Sequence, residues 1–232
     1  MKMNIMPKIK AVAFDLDSTL IDFIKLKKIC CEQAASAMVD AGLKMPVEYV
    51  SKRLMKTYFD VGIESDKAFS IFLFDALGKI DDKILAAGVQ AYLKTKNAFL
   101  EPYPNVIPTL IGLIKKGYKL GVVTDAPRLK AYQRLSAMKL VHFFDIVVAK
   151  EDTGKGKYDE MPFKMLCEKL NVKPDEVMMV GDNPRRDIKT PKGMGMKTVL
   201  AKYGMQEEPG KDTVDVEPDY TIEDISGLLE CL

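Results

Sequence analysis

At 232 residues the chain is long enough to bury a sizeable core, as one domain or two. A composition of 47% hydrophobic and 29% charged residues excludes a disordered chain. The formal charge of +2, with no block of five or six like charges, gives no reason to expect a nucleic-acid or membrane partner. A single histidine, His142, sits between apolar pairs and reads as packed or surface, so a His-rich zinc centre or a Ser-His-Asp hydrolase is out of reach. The chemistry must therefore use carboxylates, lysine and hydroxyls. Cys30, Cys31, Cys167 and Cys231 lack C-x-x-C spacing and read as reduced, buried or semi-buried thiols. With no secretory signal and no apolar span of about 20 residues, the expected compartment is cytoplasmic.

In chain order, residues 9–14 form a short apolar run without alternation, as expected of a strand buried on both faces. Segments 22–41, 47–60, 66–77 and 81–99 then place apolar residues at helical spacing, punctuated by Gly42, Pro46, Gly62 and Gly78. Glu101-Pro102-Tyr103-Pro104-Asn105 reads as a linker, with Asn105 as N-cap of a helix through Lys116. After Gly117 the pattern alternates. Strands YKLGVVT, DIVVA, EVMMV and KTVLA are separated by helices PRLKAYQRLSAM, PFKMLCEKL and one near 185–194. Such alternation implies an α/β fold with a parallel sheet covered on both faces. The first strand precedes the helical block and the others follow it. The expected organisation is a discontinuous core, 1–20 with 100–232, and a helical insertion, 21–99.

Ligands of open parallel sheets bind beyond the carboxyl ends of the strands. Those ends carry Asp15-Leu16-Asp17-Ser18-Thr19, Thr124-Asp125 and Gly181-Asp182-Asn183, with Asp187 five residues beyond Asp182. Each segment alone reads equally well as a polar turn or a helix cap. Together they gather Asp15, Asp17, Asp182 and Asp187 at one place. Two unit charges about 4 Å apart repel by roughly 4 kcal/mol at an effective dielectric of 20. Such a cluster calls for a divalent cation, and all-oxygen ligation points to magnesium.

These segments resemble the haloacid dehalogenase superfamily along essentially the whole chain. AFDLDSTL is similar to its D-x-D-x-T motif, VVTD to its Ser/Thr motif and VGDNPRRDI to its G-D-x-x-x-x-D motif. The helical insertion resembles the family's α-helical cap on a Rossmann-like core. The family's lysine falls in TGKGKYDEMPF; register with Phe163 gives Lys157, with Lys155 the competitor and Tyr158 where members have proline. Ser18 stands where many members have glycine.

The resemblance implies a magnesium-dependent phosphatase acting on a small phosphorylated metabolite through an aspartyl-phosphate. Asp15 would be the nucleophile and Asp17 the general acid and base, with Thr124 and Lys157 stabilising the phosphoryl oxygens. The Asp15 carboxylate, the Asp17 carbonyl and Asp182 would hold the metal, with Asp187 and Asn183 ordering its waters. Backbone amides of Leu16, Asp17, Ser18 and Thr19 would face the phosphoryl group, with Asp125 beside them. Asp17 separates phosphatases from the family's dehalogenases, which lack a carboxylate there. In the insertion, Lys52, Arg53, Lys56 and Tyr58 could meet the leaving group or form a solvated face. A phosphomutase on the same core, a receiver-like signalling module and a catalytically dead scaffold are the alternatives. The substrate and the oligomeric state are left open.

Overall fold

The computed structural model describes residues 8–205 and 216–232. The chain divides into two units, Met1–Asp22 with Glu101–Leu232, and Phe23–Leu100. Among the described residues no helix is long and apolar enough to cross a membrane.

The first unit is an α/β core. Its strands are β1 (Ala11–Phe14), β2 (Lys119–Thr124), β3 (Ile146–Ala149), β4 (Val177–Gly181), β5 (Lys197–Ala201) and β6 (Tyr220–Ile222). They form one parallel sheet in the order β3-β2-β1-β4-β5-β6. β1 and β4 are buried along their whole length, which is why they read as unbroken apolar runs. The chain leaves β1 for β2 on one side and later returns to β4 on the other, so the strand order reverses at β1. Such a switch point opens a crevice at the carboxyl edge. Phe14 is level with both Val122 and Val180, so the residues after all three strands emerge together. β6 was not expected; three residues carry too little pattern to be read from sequence.

Alternate residues of the strands enter one apolar layer. Ala11 and Ala13 of β1 and Val177 and Met179 of β4 pack with Phe163, Leu166 and Leu170 of the helix Met161–Leu170.

The second unit consists of α1 (Phe23–Asp40), α2 (Val47–Val61), α3 (Ala68–Leu77) and α4 (Asp82–Phe99). α1 packs on α2 and α4, and α3 on α2 and α4. Asp81 caps α4, accepting from the amides of Lys83 and Ile84. Met38, Leu54, Phe69, Phe72 and Leu73 fill its core, each contributing about 1.5–3 kcal/mol on burial. Tyr58 belongs to this core rather than to an exposed cationic face. It stacks on Tyr92, with centroids 6.0 Å apart, and carries the Lys27 Nζ 3.6 Å above its ring. The signal was its position four residues after Leu54, on the inward face of α2.

The remaining helices belong to the core: α5 (Val106–Lys115), α6 (Arg128–Ala137), α7 (Lys150–Thr153), α8 (Met161–Leu170) and α9 (Thr190–Gly193). One local expectation fails and a second is met in a different form. Asn105 precedes α5 but makes no side-chain cap; it adopts φ 65° and its amide donates to the Asp224 carboxylate. The helix expected over 185–194 is a wide π-helical turn, Pro184–Lys189, running into α9. Pro191 has no amide hydrogen with which to continue an ordinary ladder there.

Candidate active site at the carboxyl edge of the sheet

Asp15 directly follows β1, and its amide extends the ladder by donating to the Val180 carbonyl at 2.9 Å. Its carboxylate is thereby carried to the sheet edge as the strand ends. Asp182 leaves β4 at the same level. Asp187 comes from the π-helical turn, where Asn183 accepts from the amides of Arg185 and Arg186 and its own amide donates to Asp187 Oδ2 at 3.0 Å. A side chain at Gly181 would lie 2.3 Å from the Asp187 Cβ, so glycine is what lets this carboxylate fold back over β4. Asp15, Asp182 and Asp187 are all buried and offer carboxylate oxygens within 4.8 Å of one another.

Lys157 enters from the loop before α8 and is 1% exposed. Its Nζ lies 2.6 Å from Asp15 Oδ1 and 2.6 Å from Asp187 Oδ1. Burial pulls this ammonium's pKa down, but Asp15 and Asp187 outweigh it and hold it above the usual lysine value. Lys155 is exposed and points its carbonyl at Thr153. Of the two lysines, Lys157 joins the cluster. Thr124 ends β2, buried, where its Oγ1 accepts from the Ala126 amide at 3.1 Å.

Burial raises the Asp182 carboxyl well above the ordinary carboxylate range, and the charges of Asp15 and Asp187 raise it further. Burial likewise pushes Asp187 up to about 6, although Lys157 opposes the shift. Carboxylates that resist ionisation together are the electrostatic signature of a site completed by a cation. Lys157 pairs with Asp15 and Asp187, Arg134 with Asp17 and Arg186 with Asp125, while Asp182 accepts from the Thr19 hydroxyl. The donor set offered by Asp15, Asp182 and Asp187 is all oxygen, as hard cations require. The residues fit a metal.

Several expected residues have different partners. The Asp17 side chain turns to Arg134, whose Nη1 donates to Asp17 Oδ2 at 2.8 Å. Ser18 adopts φ 62°, the left-handed conformation that glycine would adopt without strain, and its amide donates to the Ile21 carbonyl at 2.7 Å. That amide is committed to the turn rather than aimed at a phosphoryl group. Thr19 donates its hydroxyl to Asp182 at 3.3 Å. Asp125 organises the loops, accepting from the Lys157 amide at 2.9 Å and from Arg186 at 3.4 Å. Arg53 is half-buried on α2, in the helical unit. Lys52 and Lys56 line a cleft of about 370 Å³ there with Lys28, Glu32, Met55 and Phe59, and Lys56 pairs with Asp60 at 2.6 Å.

Sequence reasoning overlooked Arg134, Arg186, Tyr203 and Gly204. Tyr203 donates its hydroxyl to the Thr19 carbonyl at 2.8 Å, and a Cβ on Gly204 would sit 1.6 Å from the Ser18 carbonyl oxygen. Both follow β5, so the strand-end rule applied one strand further would have found them.

Known proteins give the same picture. The sequence profile of haloacid dehalogenase-like hydrolases matches residues 12–201. The chain is 36% identical over 222 residues to a glyceraldehyde 3-phosphate phosphatase of Methanocaldococcus jannaschii, covering 96% of each. It is 30% identical over 232 residues to a phosphoglycolate phosphatase of Vibrio cholerae, covering 97% of each. Among solved structures, a haloacid dehalogenase-like phosphatase from Thermococcus onnurineus superposes with a TM-score of 0.68 at 26% identity, covering 96% of this chain and 97% of the other.

Proposed function

This chain belongs to the haloacid dehalogenase-like hydrolase family, and on that premise we propose that it hydrolyses a small phosphate monoester through a phosphorylated Asp15. Glyceraldehyde 3-phosphate is the first candidate, since the relative acting on it is the more similar of the two phosphatases above, and phosphoglycolate is the second.

The observation that carries the reading is the buried Asp15–Lys157–Asp187 bridge, which ties three strand-end segments around one carboxylate. An Asp15 oxygen attacks phosphorus as the bond to the ester oxygen breaks, leaving an aspartyl-phosphate. Asp17 gives a proton to the departing alkoxide. It then takes one from a water that attacks the same phosphorus, releasing inorganic phosphate and restoring Asp15. Lys157 and the Thr124 hydroxyl balance charge on the transferring oxygens. Asp15 and Asp182, with the Asp17 carbonyl and with Asp187 behind them, would hold magnesium, which supplies charge neutralisation at the phosphoryl group when bound. Thr19 orients Asp182 by its hydrogen bond, and Asn183 orients Asp187 through its amide.

The direct test is phosphate release from glyceraldehyde 3-phosphate, phosphoglycolate and p-nitrophenyl phosphate, with magnesium and with EDTA. Magnesium-dependent release from at least one small ester is expected, with glyceraldehyde 3-phosphate giving the highest kcat/KM. Release undiminished in EDTA, or none from any ester, contradicts the reading.

A further inference from the structure

The reaction above gives Arg134 no task, yet its placement demands one. Ala131, Arg134 and Leu135 are the buried residues of α6, spaced as the inward face of a helix. A guanidinium there, 1% exposed, takes a position that an aliphatic side chain would fill at far less desolvation cost. Its Nη1 is 2.8 Å from Asp17 Oδ2.

The geometry of α6 explains how it arrives. The helix begins just past the carboxyl end of β2, so its N-terminus lies at the sheet edge that carries the site. Side chains of a helix lean toward its N-terminus. Arg134 is six residues beyond Arg128, about 9 Å down the axis at 1.5 Å per residue, and an arginine leaning that way spans most of it. The two carboxylates of the D-x-D turn are thus each given a buried cation: Lys157 takes Asp15 and Arg134 takes Asp17. The cations come from different places, Lys157 from the loop before α8 and Arg134 from α6.

We propose that Arg134 is a positioning residue for the proton transfers of this reaction: it fixes the Asp17 carboxylate in the orientation from which it serves first the ester oxygen and then the water. The inference rests on the phosphatase reading. Arg134 cannot be the acid itself, because a guanidinium does not give up its proton in proteins. Its action is through Asp17 alone.

The test compares Arg134→Met and Arg134→Lys with wild type and with Asp17→Asn, all in magnesium. With p-nitrophenyl phosphate the leaving group needs little proton assistance, so attack by Asp15 proceeds without a well-placed Asp17. Hydrolysis of the aspartyl-phosphate still needs it. Arg134→Met is therefore expected to accumulate phosphorylated protein, read by intact mass after acid quench, while its steady-state rate falls at least about tenfold. With an alkyl phosphate its kcat should fall as much or more, at a KM within about twofold of wild type. Arg134→Lys keeps the charge and should lie between Arg134→Met and wild type, which a packing role alone would not produce; it also carries the test should the Met variant not fold. A wild-type rate in either variant overturns the proposal. So does a raised KM with no accumulated adduct, which would make Arg134 a phosphate ligand instead. Asp17→Asn separates the two levels of inference. If it traps no adduct, the phosphatase mechanism itself fails. If it does and Arg134→Met does not, only the role of Arg134 falls.

Discussion

The two units bury charge in opposite ways. In the α/β core, carboxylates are packed around Lys157, and the ion pairs sit where three strands end. In the helical unit, Lys27 is buried against the faces of Tyr58 and Tyr92, beside a core made mostly of aliphatic and aromatic side chains. The first arrangement is costly unless something functional keeps it. The second is an aromatic shelf for a long side chain, worth about 2 kcal/mol or less to the fold. The contrast separates a unit shaped by chemistry from one shaped by packing.

Replacing the two lysines should break the comparison most sharply. Lys157→Met strands Asp15 and Asp187 without their cation, so kcat should fall by at least about a hundredfold and stability by about 3–5 kcal/mol. Lys27→Met keeps the volume against the Tyr58 and Tyr92 rings and should cost less in denaturant melts. Equal losses from the two would remove the distinction.

Metal binding should be confined to the core. Asp182 and Asp187 have raised folded pKa values, so in metal-free protein they contribute stability at low pH that is lost as pH rises through those values, about 6 for Asp187. Magnesium binds the ionised form. Its stabilisation in thermal melts should therefore grow between about pH 5 and pH 8, and Asp182→Asn should flatten that growth. A magnesium shift independent of pH would mean that these carboxylates are not its ligands.

Two glycines give a smaller contrast. Gly204→Ala would drive a methyl into the Ser18 backbone and should lower activity by displacing the turn that follows Asp15. Gly88→Ala meets the flexible Met38 side chain of α1 and the edge of the Phe69 ring, so it should cost about 1–3 kcal/mol of stability with kcat on p-nitrophenyl phosphate retained. The smallest effect is expected from Arg53→Ala: a change of a few fold in KM for an anionic alkyl phosphate, and none for p-nitrophenyl phosphate.

What the sequence disclosed follows the same division. Asp15, Thr124 and Asp182 each interrupt an apolar strand with a polar residue, and a parallel sheet puts such interruptions at one edge. Strand-end chemistry is therefore readable one segment at a time. Arg134 was hidden because PRLKAYQRLSAM carries three cations and reads as solvated, although only Arg134 among them shares a face with Ala131 and Leu135. The commitment of the Ser18 amide to Ile21, and of Asp125 to Lys157 and Arg186, depends on turn geometry that residue types do not encode. In the helical unit the apolar spacing yielded the helices, but not which polar side chains face a substrate. A packed tyrosine and an exposed one look alike until Leu54 is seen four residues before Tyr58.

The central claim is that Asp15 bonds to phosphorus. Wild type, Asp15→Asn and Asp17→Asn should be mixed with p-nitrophenyl phosphate and magnesium, quenched in acid within milliseconds to seconds, and weighed intact. A phosphoryl adduct is expected on Asp17→Asn, located at residue 15 by fragmentation, and none on Asp15→Asn, which should also show no turnover. Turnover by Asp15→Asn near the wild-type rate, or an adduct located at any other residue, would contradict the account.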